Sequence, residues 1–457
     1  MNKFKYTCAG CLLLLLFTAC RKYVDITPQG KIVPTTVADF RLLLNNSDVF
    51  NLAGGTTDLM TDDIAFTDPA MFTGVRPLSV LNIYSWAADN YQPQETDDEW
   101  NGYYKQIYYS NVVITGITGI KDGADHEKKL LISEAKVHRA FAYLMLVTQY
   151  AVQYDAATAG KDPGVPLLLD PGYTQSLERA SVQKVYDQVL DDLHSAAAVL
   201  PDLPAAKIHP SKAAALAILS RAYLTMRNYP QAGRYADSTL QLQHSLYDLR
   251  AFANSSSPFD FMTIPESYQH PEVILMKAAY NQDGPLLLSP ELLDLLGPDD
   301  LRRKVFGIGD QLLFNYNGYF FSYISPFEAR HVGPRVGEMY VTKAECQARA
   351  NDVSGAMATL NELRQQRFAI NKYTPLTATD ATDALTKALA ERRRELMGRG
   401  YRLADLKRLN KEPAFAKVVT HPWSNGNITL APNSNRYIYP VAIKILAANP
   451  EIGQSPR

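Results

Sequence analysis

Two runs of acidic residues lie close enough in the chain to act together: Asp62 with Asp63, and Asp97 with Asp98 and Glu99. Two carboxylates across a cleft are the minimum for glycoside hydrolysis, one protonating the leaving oxygen while the other attacks or activates water. The same residues serve equally well as solvated loop charge, and no second catalytic pattern accompanies them. The eight histidines form no His-Glu-x-x-His pair, and no Gly-x-Ser-x-Gly or phosphate loop occurs. The run "GIGD" at 307–310 is too short to carry meaning. Catalysis, bound metal and cofactor chemistry are therefore not expected.

Recognition chemistry is better supplied. Flat aromatic faces stack on the apolar faces of sugar rings while amides and carboxylates hold hydroxyls, so aromatics outside helical register are the natural candidates. The first group runs from "DIAFTDPAMF" to "NIYSWAADNYQPQ" and holds Asp63, Tyr84, Trp86, Asn90 and Tyr91. The second comprises Asn315, Tyr316, Tyr319, Phe321 and Tyr323, with a fallback around Trp423 in the 411–440 stretch. For any one of these aromatics the competing role is burial beneath a loop. Trp100 differs, because Tyr104, Ile107 and Asn111 follow it at helical spacing and assign it to the core. The arginines of "ERRRELMGRGYRLADLKR" could bind an anion, yet Glu391, Glu395 and Asp405 stand near enough to Arg392, Arg393, Arg394 and Arg408 for internal pairing.

Cys20 is the remaining chemical group. Lys3 and Lys5 give a positive amino end, Leu12 to Phe17 an apolar block too short to span a bilayer, and Thr18-Ala19 precede the cysteine as in a bacterial lipobox. That pattern predicts cleavage after residue 19 and acylation of Cys20, with several acyl chains giving a stable tether. Of the four cysteines, Cys8 and Cys11 would leave with the signal and Cys346 would remain as a free thiol, so no internal disulfide is possible. Loss of Lys3 and Lys5 takes the formal net charge from −1 to −3, which argues against a nucleic-acid partner. No later segment is apolar enough to cross a membrane.

The elements that must position these groups are mainly helices. Val137, Ala140, Phe141, Leu144 and Val147 share one helical face, and so do Val182, Val185, Tyr186, Val189, Leu193, Ala196, Ala197 and Leu200, with Ser181 as N-cap and Pro201 as stop. Two segments read as helix-turn-helix repeats whose small residues, Ser220 with Ala232 and Ala344 with Ala356, let antiparallel helices approach closely, as tetratricopeptide units require. Residues 45–98, 247–335 and 411–440 break this period with Pro, Gly, Asn and aromatics. The predicted fold is mostly α: a tetratricopeptide-like scaffold of helical hairpins with long irregular loops and a few short strands. It forms one domain over 20–457, with a loop-rich insertion at about 247–335.

Several stretches resemble, in order, the SusD/RagB family of outer-membrane lipoproteins of the Bacteroidetes. They are "RKYVDITPQGKIVPTT", "EWNGYYKQIYYSNVVI", "SEAKVHRAFAYLMLVTQYA" with "GVPLLLD", "ERASVQKVYDQVLDDLHSAAAVLP", "GEMYVTKAECQARANDVSGAMATLNELRQQR", "ERRRELMGRGYRLADLKRLNK" and "YIYPVAIKILAANPEIGQSP". The sequence departs from the family pattern at Gly398-Arg399-Gly400, at Gln454-Ser455-Pro456, and at Arg21-Lys22 where acidic residues often follow the lipid cysteine. The resemblance implies a SusD-like fold and a non-enzymatic binding protein anchored on the outer face of the outer membrane. Such a protein sits as a lid on a SusC-like TonB-dependent transporter and captures an oligosaccharide, or in some members a peptide. It also implies ligand contacts from the two aromatic loop regions, without a fixed motif. A surface glycosidase and a helical-repeat assembly scaffold are the rival classes.

Overall fold

The computed structural model describes residues 34–66, 77–172, 174–257, 259–279, 286–309, 319–321 and 330–457. Cys20 and the residues expected to form a signal peptide lie outside them. The fold is mostly α, as predicted.

Its frame is a succession of packed helices. α1 (Val37–Leu44), α2 (Ser47–Phe50) and α3 (Leu78–Tyr84) lead into α4 (Asp98–Gly116), α5 (Asp125–Tyr150) and α6 (Val182–Ala197). α5 packs between α4 and α6, and α6 passes the array on to α7 (Lys212–Thr225) and α8 (Tyr229–Leu242). After the insertion, which contributes α9 (Pro290–Leu296) and α10 (Leu301–Phe306), α11 (Val336–Arg349) packs on α8 and on α12 (Val353–Arg364) and α13 (Ala381–Glu395). α14 (Arg402–Leu409) and α15 (Ile443–Ala448) complete the helices.

α5 departs from the expected one-sided amphipathic helix: from Leu131 to Tyr150 almost every residue is buried. Its polar side is enclosed because it is paired. Arg139 donates to Asp192 at 2.7 and 2.8 Å and to Asn111 at 2.8 Å. α6 keeps the expected single apolar face and its Ser181 cap, which accepts from the Lys184 amide, and ends at Ala197 before Pro201 is reached.

The two helical hairpins share one turn geometry. Arg227 (φ 63°) and Asn351 (φ 64°) occupy the left-handed region at the same place, one residue before an N-cap. In each turn the N-cap amide returns to a carbonyl of the preceding helix, Asn228 to Tyr223 at 2.8 Å and Asp352 to Gln347 at 2.9 Å. This closes the helix end with the six-to-one bond of a Schellman motif. The N-cap side chains of Asn228 and Asp352 then accept from the amides of Gln231 and Gly355. Ser220 is fully buried and donates to the Ala232 carbonyl at 2.8 Å, a contact only a small side chain permits.

Short strands tie the irregular regions to this frame. β1 (Leu52–Ala53) runs parallel to β4 (Ala278–Ala279), and β2 (Pro163–Pro166) pairs antiparallel with β3 (Arg179–Ser181). β5 (Leu286–Leu287), β7 (Tyr319–Phe321) and β6 (Gly307–Gly309) form a three-stranded sheet in that order. β8 (Val419–Trp423) and β9 (Gly426–Leu430) form a hairpin with Val419 opposite Leu430. The C-terminal segment is fastened to the frame: Arg179 donates to the carbonyls of Ile452 and Gly453 and to the Ser455 hydroxyl, which itself donates to the Tyr150 carbonyl. Arg457 reaches the carbonyls of Ala87 and Ile438, both at 2.6 Å.

Candidate ligand-binding site

The three irregular regions meet at one place. Residues 63–65 lie along β5, the Ala65 amide donating to Leu287 at 3.0 Å and the Ser289 amide to Asp63 at 2.8 Å, with Ile64 opposite Leu288. The other edge of β5 pairs with β7, Leu286 facing Phe321 and Leu287 facing Phe320. Segments more than two hundred residues apart in the chain thereby become neighbours in one ribbon, which is the juxtaposition the two aromatic groups required.

The β8–β9 hairpin is locked to the same region through His421. Its imidazole is buried between the rings of Tyr84 (centroids 4.1 Å apart) and Trp86 (4.3 Å). Nδ1 lies 2.8 Å from the Tyr84 carbonyl and Nε2 2.9 Å from the Thr61 carbonyl. Burial holds the imidazole below its ordinary value, although both carbonyls favour the protonated form.

Four of the expected ligand contacts are corrected by this packing. Tyr84 is fully buried: its hydroxyl accepts from the Phe66 amide at 3.0 Å and donates to the Pro422 carbonyl at 3.3 Å. Trp86 is only 6% exposed and its Nε1 donates to the Met60 carbonyl at 3.1 Å. Its backbone is left-handed (φ 54°), a conformation costly for a bulky residue and maintained here by packing on His421. Asn90 is 2% exposed; its backbone carbonyl accepts from the Asn82 side chain, and its own Nδ2 is buried without a hydrogen-bond partner. Asp63 is buried against Arg393, whose Nε donates at 2.6 Å. Burial pushes the Asp63 carboxyl up while Arg393 opposes the shift. These side chains belong to the packed interior.

What remains available is narrower. Trp423 is partly buried, and Tyr91 is partly buried with its hydroxyl enclosed beside Asp97, burial and that carboxyl raising it well above its ordinary value. Tyr319 and Phe321 stand on β7, whereas Asn315, Tyr316 and Tyr323 lie outside the described residues. Trp100 is buried as expected, its ring edge-on to Tyr150 at 4.9 Å.

The acidic pairs are occupied by structural partners. Asp62 takes two bonds from Arg402, both 2.8 Å, and one from Lys417 at 2.6 Å. Burial works against its charge, but Arg402, Arg393 and Lys417 outweigh that and hold the carboxyl far below the usual range. Glu99 accepts from the amides of Gly55 and Thr56 at 2.8 and 2.9 Å. Asp97 caps α4 and accepts from the Tyr150 hydroxyl at 2.6 Å, with burial pushing it up to about 7. No group of three or more His, Cys, Asp or Glu residues suited to a metal occurs among the described residues.

A polar cleft of about 160 Å³, lined by Gln153, Lys407, Asn410, Asn433, Asn435 and Tyr437, was not anticipated from the sequence. The amide run "NSN" at 433–435 was its only visible signal. A larger cleft of about 420 Å³ lies between α8 and α11, with Tyr229, Arg234, Lys343 and Arg349 on its walls.

Residues 22–224 match the family described as "Starch-binding associating with outer membrane", and residues 332–457 match the SusD family. The chain belongs to the SusD/RagB family. SusD-like protein P25 of Formosa agariphila is 22% identical to it, with 97% of each chain covered. Among solved structures, a SusD superfamily protein from Bacteroides thetaiotaomicron superposes with a TM-score of 0.72 at 20% identity, covering 92% of this chain and 100% of its own. A putative sugar binding protein from Bacteroides vulgatus gives 0.72 at 18% identity, covering 93% and 99%. A laminarin binding SusD-like protein gives 0.64 at 18%, covering 92% and 98%. At these identities the superpositions establish a shared SusD-like fold.

Proposed function

We propose that this SusD/RagB protein is an outer-membrane lipoprotein that binds an oligosaccharide at the cell surface and delivers it to a SusC-like TonB-dependent transporter. The supporting observation is the ribbon in which residues 63–65, β5 and β7 lie side by side, with the aromatic hairpin residue Trp423 attached to the same region through His421. Tyr91, Trp423 and Tyr319 supply stacking faces in this reading, and Asn315, Tyr316 and Tyr323, which adjoin β7 in the sequence, add further contacts. Asp63, Tyr84, Trp86 and Asn90 act as the platform beneath.

The protein acts as a binder without catalysis. Asp62, Asp63, Asp97 and Glu99 are committed to guanidinium, ammonium, hydroxyl and backbone amide partners, leaving no free carboxylate pair among them. Calorimetry of the purified mature chain against a panel of glycans that includes laminarin tests this reading. Binding to at least one glycan without release of shorter sugars is expected, with Tyr319→Ala and Trp423→Ala each weakening it roughly tenfold, equivalent to about 1.4 kcal/mol. Release of shorter sugars by the purified chain would favour a glycosidase, and absence of binding across the panel would remove the saccharide reading.

A further inference from the structure

Where the insertion meets α11 and α13 lies a small, partly open recess of about 10 Å³ whose walls carry Arg302, Arg335, Arg367, Arg399, Glu272 and Glu395. The carboxylates are fully engaged. Glu395 accepts from Arg302 at 2.8 Å and from Arg367 at 2.8 and 3.0 Å. Glu272 accepts from Arg367 and the Tyr247 amide, both at 2.8 Å, and from Arg335 at 3.3 Å. Behind them, Asp300 binds Arg302, and Glu391 is shared among Arg302, Arg364 and Arg394.

Two guanidinium groups are left undersupplied. Arg399 is 5% exposed and makes one long hydrogen bond, 3.4 Å to the His331 carbonyl, with no ion pair. Arg335 is likewise 5% exposed, and its buried Nη1 has no hydrogen-bond partner. Burial, reinforced by Arg335, pushes Arg399 down to about 9. The adjacent His270 and His331 are held well below their ordinary values by burial and these same arginines. Arg335 shares Glu272 with Arg367, and Arg399 has only the unbonded charges of Glu395 and Glu272 nearby, so guanidinium charge exceeds carboxylate charge in this buried cluster, an excess that water dipoles do not neutralise.

We propose that this recess is a binding site for one small monovalent anion of chloride size, held by Arg335 and Arg399 inside the fold. A recess of about 10 Å³ lies near the lower limit for a single water-sized sphere, so it selects against polyatomic anions. The larger radius of a halide requires a small outward shift of Arg335 and Arg399, whose bonds of 3.3 and 3.4 Å are the longest in the cluster. The ion completes the charge balance of the junction between the insertion and α11–α13, and it does not depend on the saccharide reading.

The experiment has two independent readings. Crystals of the mature protein soaked in sodium bromide should show an anomalous peak between Arg335 and Arg399. Melting at constant ionic strength, with gluconate progressively replaced by chloride, should show a saturable rise of a few degrees in the wild type and none in Arg399→Met. If Arg399→Met does not fold, Arg335→Gln serves the same purpose, and the wild-type salt series together with the bromide soak decides the matter without either variant. A water in the recess with no bromide peak overturns the proposal. So does a bromide peak with no chloride dependence of melting, which marks an adventitious ion only.

Discussion

Tyr84, Trp86 and His421 form a three-ring stack, and the two aromatics belong to it rather than to an open binding face. Trp86→Ala is accordingly expected to destabilise the protein by about 3–5 kcal/mol, as other large-to-small core changes do, measured by denaturant unfolding. Tyr84→Phe removes one hydroxyl from two hydrogen bonds and should cost about 1–2 kcal/mol. Asp97 gives a pH signature. Its native value of about 7 lies above the ordinary 3.8, so the native state retains a proton the unfolded chain releases, and stability is lost as pH rises from about 4 to about 7. Asp97→Asn keeps a capping oxygen and should flatten that part of the stability–pH curve. The sequence could not assign these residues because their partners are remote: His421 meets Tyr84 across 337 positions, and Arg393 meets Asp63 across 330. An aromatic in a stretch without periodicity carries no statement of which way it faces. Trp100 did, because its neighbours repeat at helical spacing.

The helices and their turns were the legible elements, because local periodicity and local caps specify them. In both hairpins the small residues at the crossing leave no room for a longer side chain, and Ala232 and Ala356 are fully buried. Ala356→Leu should overpack the α11–α12 contact and cost about 1–3 kcal/mol in thermal unfolding. The charged helix α13 was legible in kind but not in reach. Its pairing was expected within α13 and α14, and Arg392 and Arg408 do share Asp405 there. Glu391 extends further, to Arg302 on α10 and Arg364 on α12, both at 2.6 Å. Glu391→Gln would leave Arg364 and Arg394 without their ion-pair partner while Arg302 keeps Asp300 and Glu395, and a loss of about 3–5 kcal/mol is expected. Such cross-element pairs depend on tertiary placement, which no sequence period encodes.

At the scale of the molecule, the proposed tether and the described fold are separable: Cys20 stands well before α1, which begins at Val37. Cys20→Ala should therefore yield a chain with unchanged melting temperature that no longer fractionates with membranes, and continued membrane attachment of that variant would refute the tether. The one thiol among the described residues, Cys346, is buried and pushed up to about 12 by burial, so alkylation in the native state should be slow and should become fast only on unfolding.

The fastening of residues 452–457 onto Arg179, Tyr150 and Ala87 bears on how the protein is made. Arg179 donates locally to the Tyr150 and Gly164 carbonyls, but its Nε and Nη2 find their partners only in Ile452, Gly453 and Ser455, 273 to 276 positions later. A growing chain can form its helical hairpins early, whereas these long-range bonds wait for residues 452–457. A product shortened by only six residues would lose every one of these fastenings while retaining all of its long helices.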